Sequence, residues 1–245
     1  MLLALCLSCA LPALVSAKTT AALKVAFSPD IAGASTTVTF SAAFTNSTGG
    51  VPAPVTKSVT HLPAGLEVEL AGATTCSRAK LELEEPGAGA CPASSLLGAG
   101  SALASVDLGL EPIEEHAPVT AVLASNKPGD ISFYFDGEGT YPITEQVIAK
   151  ATLTGNARTG QTFTIKVPPI PSTVGGPNAS IINFVMSLGR QKVISLARHH
   201  RGKIAQGRGI ILPKSCKGKL SFPTKLYFEG QGPVSVATSV PCPRR

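Results

Sequence analysis

Residues Thr36–Thr45 read TTVTFSAAFT, and their alternation decides the fold class. Val38, Phe40, Ala42 and Phe44 are apolar, Thr37, Thr39, Ser41 and Thr45 are polar, and Ala43 is neutral. Successive side chains of a strand point to opposite faces, so a period of two puts the first set on one buried face. The same period places Ile131, Phe133 and Phe135 on one face of a second strand, and Phe163, Ile165 and Val167 on one face of a third. Further strands are predicted at Leu23–Phe27, Thr56–Leu62, Ala102–Leu108, Pro118–Ala124 and Val147–Thr154. Near the C-terminus, Leu220, Phe222, Leu226 and Phe228 share a face, Glu229-Gly230-Gln231-Gly232 turns the chain, and Val234, Val236 and Val240 resume the apolar face. Helix is scarce, with one short turn predicted within Ser77–Glu85.

Composition agrees. Charged residues make up 15% of the chain, there are 24 glycines and 20 prolines, and there is no Trp. That balance excludes a coiled coil and is too apolar for a disordered tail; short strands joined by Gly/Pro turns produce it. The segment Val167-Pro168-Pro169-Ile170-Pro171-Ser172 must run extended, because each proline restricts the residue before it. It reads as a crossing between strands, and Gly109–Pro112 as a second joint.

Met1–Val15 is almost wholly apolar and ends at the small residues Val15-Ser16-Ala17, the pattern of a secretory signal peptide, although no Lys or Arg precedes the run. Cleavage after Ala17 leaves 228 of the 245 residues, room for two domains of roughly 100–150 residues. No later segment is long and apolar enough for a transmembrane helix. The predicted organisation is a signal peptide at 1–17, an N-terminal subdomain at 18–108 and a C-terminal subdomain at 109–245, in a secreted or cell-envelope protein.

Six cysteines are present, and Cys6 and Cys9 leave with the signal peptide. Cys76, Cys91, Cys216 and Cys242 allow three pairings, of which Cys76–Cys91 and Cys216–Cys242 close short local loops. An oxidising compartment lets both form. A four-cysteine zinc site is disfavoured, since no C-x-x-C step occurs.

Charge is uneven under a net +6. Residues 67–115 carry nine acids against Arg78 and Lys80, whereas residues 190–245 carry twelve bases against Glu229 alone. Arg190, Lys192, Arg198, Arg201, Lys203 and Arg208 form a basic stretch suited to an anionic cell-wall polymer or another surface protein. It lacks the interleaved aromatics of a nucleic-acid site. His199-His200 stands in this stretch, but adjacent strand residues face apart, and with His61 and His116 as the other histidines no metal or cofactor site is expected. Glu84-Glu85 and Glu114-Glu115 raise a glycosidase reading, which needs two carboxyls about 5–10 Å apart across a sugar cleft. No aromatic platform accompanies them, and no G-x-S-x-G, H-E-x-x-H or phosphate-loop order occurs; Gly98-Ala99-Gly100 reads as a turn.

Three stretches together carry a resemblance. Leu62-Pro63-Ala64-Gly65-Leu66, then Cys76, then Cys91-Pro92-Ala93-Ser94-Ser95-Leu96-Leu97-Gly98 form the first; Val167–Pro171 is the second; Pro213-Lys214-Ser215-Cys216 with Pro241-Cys242 is the third. The pattern resembles a group of uncharacterised secreted proteins of actinobacteria. It departs from them in the final hairpin, where Leu220-Ser221-Phe222 and Glu229-Gly230 stand in place of a Trp and an Asp-Gly turn. The resemblance implies an Ig-like β-sandwich and brings no catalytic residues. The sequence is therefore read as all-β: two Ig-like β-sandwich subdomains with Gly/Pro-rich connections and little helix. Its expected role is non-enzymatic, structural or adhesive, and the alternative is a carbohydrate-binding or carbohydrate-active protein.

Overall fold

The computed structural model describes residues 18–83, 87–109, 111–173, 175–189 and 209–245. The described residues form thirteen strands: β1 Thr19–Ser28, β2 Ser35–Asn46, β3 Val55–Leu62, β4 Glu67–Glu69, β5 Leu96–Val106, β6 Ile113–Lys127, β7 Asp130–Glu138, β8 Gln146–Asn156, β9 Gly160–Lys166, β10 Ser180–Leu188, β11 Gly209–Ile211, β12 Lys219–Phe228 and β13 Val234–Pro241. Helix is confined to α1, Arg78–Leu81, and two short 3-10 turns at Gly87–Ala90 and Ala93–Ser95. The all-β class read from the sequence is the observed one.

All ladders between these strands are antiparallel, and they join the strands into one open sheet in the order β13-β12-β3-β9-β8-β7-β6-β5-β10-β2-β1. The short β11 and β4 extend from the start of β2. Strands from both sides of residue 109 are interleaved here: β10 lies between β2 and β5, and β12 pairs with β3. The joint predicted at Gly109–Pro112 falls between β5 and β6, which pair along their length.

The sheet rolls until its two end strands run side by side. β1 and β13 share no ladder, but contacts at both ends hold them in parallel. Ile31 bridges Arg244, and the Thr19 N–H donates to Gln231 Oε1 at 3.0 Å. Inside the roll, the period of two read from the sequence is borne out: Val38 and Phe44 of β2, Phe133 and Phe135 of β7, and Phe222, Leu226 and Phe228 of β12 are buried. Phe222 is fully buried and packs its ring 6.2 Å from Phe27 and 6.1 Å from Phe40, across the meeting of the sheet's ends. The apolar residues point inward while Lys, Thr and Ser occupy much of the outer face, opposite to the arrangement of a lipid-facing barrel. No helix among the described residues is long and apolar enough to cross a membrane.

Both short-loop disulfides are present, Cys76–Cys91 with Cα atoms 5.5 Å apart and Cys216–Cys242 with Cα atoms 5.6 Å apart. The second joins the approach to β12 with the end of β13, stapling the open end of the C-terminal hairpin. The first ties a segment onto the outer face of β6–β8, where Leu81, Leu96, Val122 and Ile148 form a small separate core. The structure corrects one reading: Gly98-Ala99-Gly100 is not a turn but lies inside β5. A Cβ at Gly98 or Gly100 would collide with the carbonyl oxygens of Ser187 and Val185 on β10, so glycine is what lets these strands approach. Residues 1–17 and 190–208, which hold the predicted signal peptide and the basic stretch from Arg190 to Arg208, lie outside the described residues.

Phe222→Ala removes the ring that joins the two ends of the sheet. It should destabilise the protein by about 3–5 kcal/mol, the range for large-to-small changes at such aromatic sites, measured by guanidinium unfolding under oxidising conditions.

Candidate functional site

Eleven strands enclose more width than their inward side chains fill, since barrel diameter grows with strand number and about eight strands already leave an interior just filled. Here the inward positions include many small residues, among them Ala42, Ala102, Ala104, Ala117 and Ala149. The outcome is a predominantly apolar cavity of about 200 Å³ to which all eleven long strands contribute, for example through Val25, Phe40, Phe135, Phe163, Met186 and Phe222. A second apolar space of about 100 Å³ lies beyond Phe40, Phe135, Phe163 and Leu188, which line both. Leu66, Leu70 and Ile210 wall this second space at the β4–β11 end. At the opposite end a third space of about 150 Å³ is lined by Pro168, Pro169, Asn178 and Glu229, and shares Val55, Ile170, Ala179 and Ile181 with the main cavity. The extended Pro-rich crossing thus sits between the interior and solvent, its far limb fixed by Asn178 Nδ2 donating to Glu229 Oε2 at 2.8 Å.

Two acids reach the main cavity. Glu115 is buried at the start of the inward row of β6, and Glu145 immediately precedes the inward row of β8. The loop between β7 and β8 closes through the Gly139 N–H donating to the Glu145 carbonyl at 2.8 Å, and the Tyr141 N–H donates to Glu115 Oε1 at 3.2 Å. Burial, and then the nearby Glu115 carboxylate, hold the Glu145 carboxyl above its ordinary value.

The pairs read from the sequence do not form a site. Glu114 and Glu115 point to opposite faces, one exposed and one buried, and Glu84-Glu85 lie outside the described residues. Glu115 instead faces the region of Glu145. Sequence reasoning missed that partner, yet the signal was there: Glu115, Ala117 and Val119 keep one parity on β6, and Glu145, Val147 and Ala149 keep one on β8. The basic residues Arg190, Lys192, Arg198, Arg201, Lys203 and Arg208, like His199-His200, fall outside the described residues. His61 stands on the outer face of β3 with Nδ1 3.2 Å from Thr162 Oγ1, and His116 is exposed. Among the described residues, no group of three or more His, Cys, Asp or Glu could hold a metal ion.

A third acid is buried on the other side of the sheet. Asp136 is 1% exposed beneath the Cys76–Cys91 segment. Gln146 Nε2 donates to its Oδ1 at 2.9 Å and to the Leu81 carbonyl at 2.7 Å, tying the segment to β7 and β8. Asp136 Oδ2 has no partner among the described residues. Burial is the main cause that pushes the Asp136 carboxyl from 3.8 up to about 6, opposed by the Gln146 hydrogen bond and reinforced by the Glu138 carboxylate. Comparison with protein-family models, curated proteins and solved structures finds no match.

The sign of the Asp136 effect follows from linkage. Between 3.8 and about 6 the folded chain holds a proton that the unfolded chain has released, so raising the pH through this window destabilises the fold. Stability should rise by roughly 2–3 kcal/mol from this group as pH falls from 7 to 4. Asp136→Asn, which keeps an acceptor for Gln146, should flatten that part of the profile when urea unfolding is followed against pH.

Proposed function

We propose that the chain is a non-enzymatic, extracytoplasmic binding protein that holds an apolar molecule inside its rolled sheet. The observation that carries this reading is the cavity of about 200 Å³ lined by all eleven long strands. An engineered apolar cavity of about 150 Å³ stays dry and takes up benzene, so a space of this kind favours apolar guests over water. Ligand sites are typically concave, apolar and equipped with a few polar groups, which here are Glu115 and Glu145. A sugar fits the same wall poorly, because most of its hydroxyls would be buried against Ala, Val, Leu and Phe without partners. The purely structural or adhesive role expected from the sequence requires no interior space.

Export is part of the same proposal. Two disulfides suit an oxidising compartment, and β1 begins at Thr19, two residues after the predicted cleavage point, with Thr19 2% exposed and its Oγ1 accepting from the Ala53 N–H at 2.7 Å. The basic stretch from Arg190 to Arg208 gives such a carrier a means of attachment to anionic wall polymer.

Two measurements test the reading. N-phenyl-1-naphthylamine should gain fluorescence on binding at a stoichiometry of one, and Ala104→Phe, which projects a ring into the cavity, should weaken this at least tenfold while the protein stays folded by circular dichroism. Unchanged binding in that variant would place the dye elsewhere. Intact-mass analysis of protein recovered from outside the cell should give a chain that starts at Lys18.

A further inference from the structure

Resting on that cavity reading, we infer that the cavity takes a short single-chain amphiphile whose head is an amine or a hydroxyl, held between Glu115 and Glu145. The alternation of β6 aims Glu115 inward, in line with Ala117 and Val119, and its side chain is 4% exposed. Oε1 accepts from the Tyr141 N–H at 3.2 Å, while no described residue donates to Oε2. Glu145 keeps the inward parity of Val147 and Ala149 and lines the same cavity.

β7 runs between β6 and β8, and its inward parity reaches the acids as Gly137 and, just past the strand, Gly139. These two positions put no side chain of their own between the strands that bear the acids. A Cβ at residue 139 would come within 2.6 Å of Glu115 Oε1, so the glycine there is what gives the carboxylate its place. The mutual repulsion of the acids, already described for Glu145, agrees with their facing each other across this gap.

Such a pair has hydrogen-bond acceptors to spare and negative charge to neutralise. A hydroxyl head can donate to Oε2, and an ammonium head can donate to both acids and offset their charge. A carboxylate or phosphate head would set further negative charge against these acids in an apolar enclosure, which is strongly unfavourable. Lys24, the cation along this wall, occupies the exposed outer parity of β1 and is not placed to neutralise it. The aliphatic chain then lies along Val119, Phe135 and Phe163 toward the second space.

Calorimetric titration of the mature protein at neutral pH with octylamine, 1-octanol and octanoate tests this. Octylamine should bind at least tenfold more tightly than octanoate, with 1-octanol between them. Glu145→Gln, which removes one of the two carboxyls, should cut the octylamine-to-octanoate ratio threefold or more. Glu115→Gln should lower the same ratio where it folds. If 1-octanol binds and Ala104→Phe abolishes it, but octanoate binds as well as octylamine or Glu145→Gln leaves the ratio intact, the head-group assignment is wrong and the cavity reading stands. If none of the three binds, both are wrong.

Discussion

The structure depends on one requirement: the apolar face of a long antiparallel sheet has to be buried, and it is buried against itself. Each inward Phe, Leu or Val moved out of water contributes roughly 1.5–3 kcal/mol, and a flat sheet would leave that whole face wet. Rolling the sheet solves the problem and brings β1 beside β13. Along their lengths these edges share no ladder, so apart from the backbone bridge at Ile31 and Arg244, side chains join them. Phe222 reaches Phe27 and Phe40, Phe228 meets Phe44 with ring centroids 5.6 Å apart, and the hairpin that carries the two β12 rings is held at its base by Cys216–Cys242. Edge-to-face contacts of this kind are worth about 0.5–1.5 kcal/mol beyond burial.

The cavity follows from the same requirement. Burying one face with eleven strands makes the roll wide, and alanine at inward positions keeps it from filling. The aromatic residues are not spread evenly: Phe135 stands centrally, with Phe163 at 6.2 Å and Phe184 at 6.5 Å, and divides the interior into two unequal spaces. A core built for stability alone would place larger side chains at Ala42, Ala104 and Ala117, because a void forfeits dispersion contacts. Small residues there sacrifice packing for room.

Much of this was legible in the sequence where the period of two ran unbroken. β2 and the β12–β13 hairpin lie within a residue or two of their predicted limits, β7 contains the predicted Ile131–Phe135 and runs three residues further, and the inward rows are the ones that alternation picked out. β10 was not legible, because the register shift between Ile181 and Asn183 breaks its period. β4 and β11 are three residues each, too short to show a pattern. The start of β5 was hidden by Gly98 and Gly100, which signal a turn locally but serve close packing against β10. Pairing order was the hardest to read. It depends on which strands lie side by side after the roll, and nothing local in β2 or β3 announces that their neighbours are β10 and β12.

The two acidic sites lie on opposite faces of one sheet. Asp136 faces outward from β7 into a small covered core, where Gln146 satisfies one oxygen and ties down the disulfide-bonded segment. One residue further along, the parity reverses: Gly137 and Gly139 face inward and leave Glu115 and Glu145 open to the cavity. The β4–β11 end is walled by Leu66, Leu70 and Ile210, whereas the end bearing these acids adjoins the Pro168–Pro171 crossing. That crossing forms no ladder over Pro168–Ile170, so displacing it breaks fewer hydrogen bonds than parting two strands of the wall. The least costly path into the interior therefore runs past the prolines, and it arrives at the end where the carboxyl groups are.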